Sequence, residues 1–323
     1  MQIFVIGSYV QACCWFVDSI PKPSETLTAT GLHIEAGGKG LNVAVCAHRL
    51  GADVDAMFGI GDDVAGRELI DLLSHEGIST QHSHVLAKQS GYGAGMIAKS
   101  GQNAIAVYPG PNLLLDASHV ALAQTSIAHS QLVYGQFEGA YEAVLASFTC
   151  AKQHGVKTVL NPSPWQAISS ALLQCTDVMI VNEVEVLDLL KIADDLKTQL
   201  RCDVTTLIDW EDFLSNYVDQ LWNHWQGEIL VVTLGHLGCI AFQKSTGEAP
   251  VCTVVPAFYV KAVDTVGCGD AFASGFCTQF LTHSLTQTLM FANACGALVA
   301  QKEGVLDALP NLSDVENFLE QHT

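Results

Sequence analysis

The sequence predicts an α/β fold: a doubly wound, mostly parallel sheet with helices on both faces, plus a small β-sheet lid. Three observations lead there. Short runs rich in β-branched residues alternate with longer stretches of helical periodicity. The 323 residues are 49% hydrophobic and only 15% charged, which suits strands buried on both faces. Two extended, glycine-punctuated segments have no helix to pair with and stand outside that alternation.

IFVIG (3–7) opens the alternation. The apolar start MQIFVIGSYVQACCWFV has no basic leader and is interrupted by Gly7, Ser8 and Gln11, so it reads as a buried first strand rather than a signal peptide. A helix is expected over 40–50, then the strand VDAMFGI (54–60) and a helix near 63–75. QLVYGQ (131–136) leads to a helix over 139–154, followed by KTVLN (157–161). DVMIVN (177–182) leads to a helix over 183–191, and EILVVTLG (228–235) follows. Strands separated by helices indicate parallel pairing. Residues 192–227, with Trp210, Phe213, Trp222 and Trp225, read as helical decoration without visible chemistry.

The two exceptions are ETLTATGLHIEA (25–36) and GYGAGMIAKSGQNAIAVYPG (91–110), the second turning near Ser100–Gly101. A small sheet assembled from distant segments suits a lid over a ligand, and an ordinary edge hairpin is the alternative. No repeat, low-complexity tract or linker interrupts the sequence. It reads as one domain, 1–323, with lid segments over about 9–36 and 91–110.

Composition also narrows the function. The net charge is −19 with no basic stripe, which argues against nucleic-acid binding. No run reaches the roughly 18 apolar residues of a membrane span. Eleven cysteines are scattered through apolar segments without a C-x-x-C pair, as in a reduced, cytoplasmic protein. His75, His82 and His84 lack partners at the spacing of a transition-metal site.

The chemistry concentrates in DTVGCGDAF (264–272). FASGFCTQFL after Asp270 has helical spacing, so Gly267, Cys268 and Gly269 form the turn into a helix. Glycines there let successive N–H groups point one way, and the helix start adds about half a positive charge. The result is an anion hole suited to phosphate. A carboxylate at that position is ordinarily a cap, but beside an anion hole Asp270 can also take a proton from a hydroxyl attacking phosphorus.

DTVGCGDAFASGF resembles the C-terminal signature of the ribokinase-like (pfkB) carbohydrate kinases, and EAGGKGLNVAVCAHRLGADV (35–54) resembles their N-terminal one. GIGDDVAGREL (59–69), YPGPN (108–112), QFE (136–138), NPSP (161–164), NEVE (182–185), TLGHLG (233–238) and FANACGALVA (291–300) follow in the family's order. The resemblance implies ATP-dependent transfer of the γ-phosphate to a sugar hydroxyl, with Asp270 as base and Gly267, Cys268 and Gly269 as the anion hole. It implies that Gly38, Lys39, Asn42 and Glu138 meet the substrate. GGKG alone could be no more than a loop opening a helix, and it is not a P-loop. The resemblance also implies that Asn182 and Glu185 organise Mg²⁺ and phosphates, although both suit a helix start equally well. Thr233, Gly235, Gly238 and Asn293 would line ATP, and pairing into a homodimer would run through the lid.

Two departures matter. Relatives acting on ribose carry an asparagine and an aspartate where this chain has Val10 and Ala12; Tyr9 and Gln11 nearby should face the other way. An unpaired buried hydroxyl costs about 1–3 kcal/mol, so ribose is expected to be a poor substrate, and a nucleoside becomes the alternative. A non-catalytic sugar-binding relative is a third reading, opposed by the retained Asp270. At the family's monovalent-cation loop Asp264 and Gly304 are kept, but Ala308 replaces a serine, with Asp307 beside it, leaving K⁺ dependence open.

Overall fold

Ile3 and Val5 are buried on one face of the first strand, Phe4 and Ile6 on the other, so this strand lies inside a sheet covered on both sides. A computed structural model describes residues 1–100, 102–245 and 249–322. In chain order its strands are β1 (Gln2–Ile6), β2 (Val10–Val17), β3 (Gly31–Gly37), β4 (Asp53–Gly61), β5 (Ser83–Ala87), β6 (Gly91–Ala98) and β7 (Asn103–Tyr108). β8 (Leu132–Gln136), β9 (Lys157–Asn161), β10 (Val178–Asn182), β11 (Ile229–Thr233), β12 (Gly238–Gln243) and β13 (Val251–Pro256) follow.

Nine strands form the large sheet in the order β13-β12-β11-β10-β9-β8-β1-β4-β5. The stretch from β11 to β5 is parallel throughout, and β12 and β13 close one edge antiparallel. One face carries the helices Lys39–Arg49, Val64–Glu76, Cys268–Gln279 and Leu285–Ala300. The other carries Tyr141–Gln153 and the segment after β10. This is the doubly wound arrangement that the alternating sequence predicts. Helix Val64–Glu76 shows the local causes well. Asp63 caps it by accepting from the Gly66 N–H, and Gly77 ends it in the left-handed region at φ 81°.

The second sheet, β3-β2-β6-β7, is assembled from the segments the sequence singles out. The apolar N-terminus therefore divides into two strands. β1 stays in the large sheet, and the chain turns at Gly7–Ser8–Tyr9 so that β2 joins the small one. Residues 25–30 lie outside any strand, because β3 starts only at Gly31. β6 and β7 form the expected hairpin, with Ala98 N–H donating to the Gln102 carbonyl; Gly101 of the expected turn lies outside the described residues. Residues 192–227 carry the helices Asp194–Asp203, Leu207–Ser215 and Val218–Leu221, and they also contribute core, since Trp210 and Trp225 are buried.

Cys46, Cys239, Cys277 and Cys295 are buried free thiols. Among the described residues no helix is long and apolar enough to cross a membrane.

Candidate active site

Two helix N-termini meet at one end of the large sheet. They are built alike and used differently. The helix Lys39–Arg49 starts after Gly38, whose φ of 114° belongs to glycine and whose added Cβ would lie 2.5 Å from the Ser8 carbonyl oxygen. Its first N–H groups are already satisfied. Lys39 donates to Glu138 Oε2 at 2.8 Å, Gly40 to Ser8 Oγ at 3.2 Å and Leu41 to the Ser8 carbonyl at 3.1 Å. Ser8 Oγ donates in turn to the same Glu138 oxygen at 2.8 Å, and the Gln136 side chain accepts from the Glu138 N–H. This terminus is closed to an anion, and the carboxylate already there is Glu138.

The helix Cys268–Gln279 starts after Gly267, left-handed at φ 81°. Here the N–H groups of Gly267, Gly269 and Asp270 have no acceptor among the described residues; Cys268 alone donates, at 3.4 Å to the Thr265 carbonyl. A Cβ on Gly269 would meet nothing within 4 Å, so space stands open before these donors. Unpaired first-turn N–H groups facing open space form a cradle for an oxyanion.

Asp270 lies between the two termini and is buried. Its Oδ2 accepts from Asn42 Nδ2 at 2.7 Å, and its Oδ1 lies 3.9 Å from Lys39 Nζ. Burial raises the Asp270 pKa against the opposing pull of Lys39, so its carboxylate is a stronger proton acceptor than a free aspartate. The Lys39 ammonium is held charged by Asp270 first, then by Glu138 and Glu185, despite its desolvation. Asn42 Oδ1 is buried without a partner among the described residues. An orphaned buried acceptor next to a buried carboxylate suits an incoming hydroxyl.

Asn182 and Thr233 sit side by side at the ends of β10 and β11. Asn182 Oδ1 accepts from the N–H groups of Val184 and Glu185, both at 2.9 Å, and Glu185 Oε2 accepts from the Asn182 N–H at 3.0 Å. This is a reciprocal cap, the ordinary reading of that motif. It also fixes a buried Glu185 carboxyl whose pKa is raised by burial. Thr233 Oγ1 donates to the Val181 carbonyl at 3.3 Å. Gly235 and Gly238 bracket the turn leading into β12, and a Cβ on Gly235 would meet nothing within 4 Å. Asn293 is buried farther along that edge, its Nδ2 donating to the carbonyls of Val255 and Pro256 at 3.2 and 3.1 Å.

Asp264 Oδ1 accepts from the Val266 N–H at 3.0 Å, which braces the turn before Gly267. Gly304 precedes Val305, whose Cγ1 would lie 2.7 Å from a Cβ on Gly267. Ala308 is fully buried and brings no side-chain oxygen to this loop. Cys268 is half-buried, and burial, Asp264 and Asp270 push its thiol up to about 11, so it stays protonated at neutral pH.

Val10 and Ala12 lie on β2, opposite Gly37 and Glu35 of β3 and Gly91 and Gly93 of β6. Tyr9 and Gln11 are buried, and the Tyr9 hydroxyl lies 2.8 Å from both Gln11 Oε1 and the Ala65 carbonyl. Lys39, Asn42, Glu138, Asp270 and the Gly267–Gly269 turn thus converge on one place. Asn182, Glu185, Thr233 and Gly235 form a neighbouring group, linked to the first by the Glu185 field on Lys39.

Sequence reasoning gave no role to Ser8 or to Asn112, the last residue of YPGPN. Asn112 is fully buried; its Oδ1 accepts from the Tyr9 N–H at 2.9 Å and its Nδ2 donates to the carbonyls of Tyr9 and Pro109, both at 2.7 Å. It pins the point where the chain crosses from one sheet to the other. An asparagine closing a Pro-Gly-Pro turn signals such a clamp only once its distant partner is known.

Residues 1–312 match the pfkB family carbohydrate kinase pattern. The chain is 32% identical over 312 residues to the ribokinase of Haemophilus influenzae, covering 94% of each protein. To the deoxyribokinase of Salmonella typhi it is 28% identical over 326 residues, covering 99% of each. The ribokinase structure of Cryptococcus neoformans in complex with ADP superposes with a TM-score of 0.80 at 26% identity, over 98% of this chain and 99% of that one. With the match spanning residues 1–312, the chain belongs to the pfkB family of carbohydrate kinases and is an ATP-dependent sugar kinase.

Proposed function

We propose that the whole chain acts as one kinase unit that phosphorylates a small, hydroxylated sugar under the small sheet, with Asp270 as the base. The observation that carries this reading is the pairing of a buried, proton-accepting Asp270 with the unpaired N–H groups of Gly267, Gly269 and Asp270. Asn42 Oδ1, Lys39 and the Glu138 carboxylate, with Gly38 shaping the loop, hold the sugar so that one hydroxyl faces Asp270. Asp270 takes that proton as the oxygen–phosphorus bond forms and the bond to the ADP oxygen breaks, while the Gly267, Cys268 and Gly269 turn stabilises the equatorial charge. Thr233, Gly235, Gly238 and Asn293 line the nucleotide.

The fixed Glu185 carboxyl, with Asn182 behind it, suits Mg²⁺ held through water, and the ion when bound neutralises phosphate charge in this acidic protein. For K⁺ the loop offers the Asp264 carboxylate and backbone carbonyls around Gly304, with nothing from Ala308. The free thiols support a reducing, cytoplasmic setting. Leu32, Ile34 and Tyr108 are exposed on one face of the small sheet and Ile105 and Val107 on the other, and these apolar side chains support a homodimer paired through the sheet.

The deoxyribokinase and ribokinase relatives favour a pentose, whereas the apolar Val10 and Ala12 patch favours a nucleoside as the second reading. ADP release from Mg-ATP across pentoses, hexoses and nucleosides separates them. Turnover with a sugar and its abolition by EDTA are expected; activity unchanged by EDTA, or ADP release with no sugar in the panel, refutes the proposal.

A further inference from the structure

The small sheet has two unlike faces. The Tyr9 hydroxyl lies 2.8 Å from both Gln11 Oε1 and the Ala65 carbonyl of helix Val64–Glu76, so the face that Gln11 shares with Tyr92 turns towards that helix. The opposite face carries Val10, Ala12 and Cys14 of β2, and a Cβ on Gly95 of β6 would lie 3.4 Å from Cys14 Sγ. Glu35 shares this face through its register with Ala12 and reaches the Val305 N–H, and the Val305 side chain stands beside Gly267, so this face looks towards that turn. On β6 it presents Gly91, Gly93 and Gly95, which offer no side chain at all. Among the side chains described on this face, the one carboxylate is Glu35, directly opposite Ala12.

Glu35 is only partly exposed. Its Oε2 accepts from the Val305 N–H at 3.4 Å and lies 3.6 Å from His33 Nε2, while Oε1 has no partner among the described residues. Val305 is the residue whose Cγ1 stands 2.7 Å from where a Cβ on Gly267 would lie. A carboxylate is thus anchored through one oxygen at the rim of the site and has the other oxygen free. Ala12 opposite leaves it room, since directly paired Cβ atoms lie about 4.5–5.5 Å apart.

Building on the sugar-kinase reading, we propose that Glu35 is a specificity-determining residue. It supplies from β3 the hydroxyl-binding carboxylate that Ala12 cannot supply from β2, and it holds the sugar hydroxyls lying under the small sheet. The face is then not blind to hydroxyls, and ribose turnover depends on Glu35.

The test compares kcat and KM for D-ribose, 2-deoxy-D-ribose and 3-deoxy-D-ribose in the wild type, Glu35→Ala, Ala12→Asp and the double variant Ala12→Asp/Glu35→Ala. Glu35→Ala should lower kcat/KM for D-ribose about ten- to hundredfold, chiefly through KM, and should narrow the preference over at least one deoxy analogue. Ala12→Asp alone should not improve D-ribose, because two like charges would face each other across the strands. The double variant should recover D-ribose. An equal loss on all three sugars, carried by kcat and not recovered in the double variant, would make Glu35 a brace for Val305 and overturn the proposal. A wild type active on a deoxy analogue but inactive on D-ribose overturns it too, yet leaves the kinase reading standing; a wild type inactive on every sugar of the wider panel overturns both.

Discussion

The two sheets of this molecule differ in how much holds them. Every residue of β8 is buried, as are four of five in β11, with helices on both sides. In the small sheet β3 has three exposed residues in the middle, and Ile105 and Val107 of β7 stand well into solvent. The groups proposed for the chemistry sit at strand ends and helix starts of the first; the groups proposed for substrate choice sit on the second. A packed sheet holds its side chains to a fraction of an ångström. A thin one tolerates sequence change, so selectivity can drift while the proposed phosphate cradle stays put.

The sharpest way to break that division is at Asp270. Asp270→Asn keeps the shape and an oxygen for Asn42 but no basic carboxylate. Turnover should fall at least about 100-fold, with ATP binding and thermal midpoint retained. Near-native turnover would remove Asp270 from the chemistry and with it the assignment of catalysis to the packed sheet.

Gly269 gives the next largest effect. Its Cβ position is open, so Gly269→Ala should fold at least as well as the wild type. The new methyl would stand before the unpaired N–H groups, and kcat/KM for ATP should drop about tenfold, as for one weakened donor of an oxyanion site. Gly267→Ala provides the contrast: at φ 81° and with Val305 Cγ1 2.7 Å away, it should lower the melting temperature as well. If both alanines melted alike, the open cradle would be the wrong picture.

How much of this was legible beforehand differs by region in the same way. In the large sheet, strands buried on both faces read as unbroken apolar runs, so DVMIVN and EILVVTLG announced themselves. The Gly267–Asp270 turn was legible because it stands inside DTVGCGDAFASGF, a signature that resembles a known family. Glycines before a helix start, as GGKG shows, do not mark an anion site by themselves. The small sheet was harder. Its strands come from distant segments, and β2 was hidden inside an apolar N-terminus that looks like one strand. Position by position, Ala12 predicts a face that cannot pair a hydroxyl. Only the register of β2 on β3 brings Glu35 opposite it, and register between strands is set by packing that no single sequence displays.

A smaller effect concerns pH. A base must be ionised, and burial raises the Asp270 pKa, so kcat/KM should fall on acidification with a midpoint above the roughly 3.9 of free aspartate. Lys39 works against that rise. Lys39→Met should therefore move the acid limb to still higher pH, whatever it does to the plateau. A shift to lower pH would mean that the limb belongs to another group.

The smallest expected effect tests the other half of the comparison. Ile105 is 68% exposed on the small sheet, so Ile105→Ser removes apolar area already in water. Substitutions at such sites usually change stability by no more than about 0.5 kcal/mol, and the denaturant midpoint of dilute protein should hardly move. What should change is self-association, because Ile105 is among the exposed apolar side chains proposed to meet a second copy. Sedimentation velocity across a concentration series should show the serine variant dissociating at higher protein concentration than the wild type. A lower denaturant midpoint with unchanged association would mean that Ile105 supports its own sheet. The small sheet would then be held as firmly as the large one, and the contrast between them would lose its physical basis.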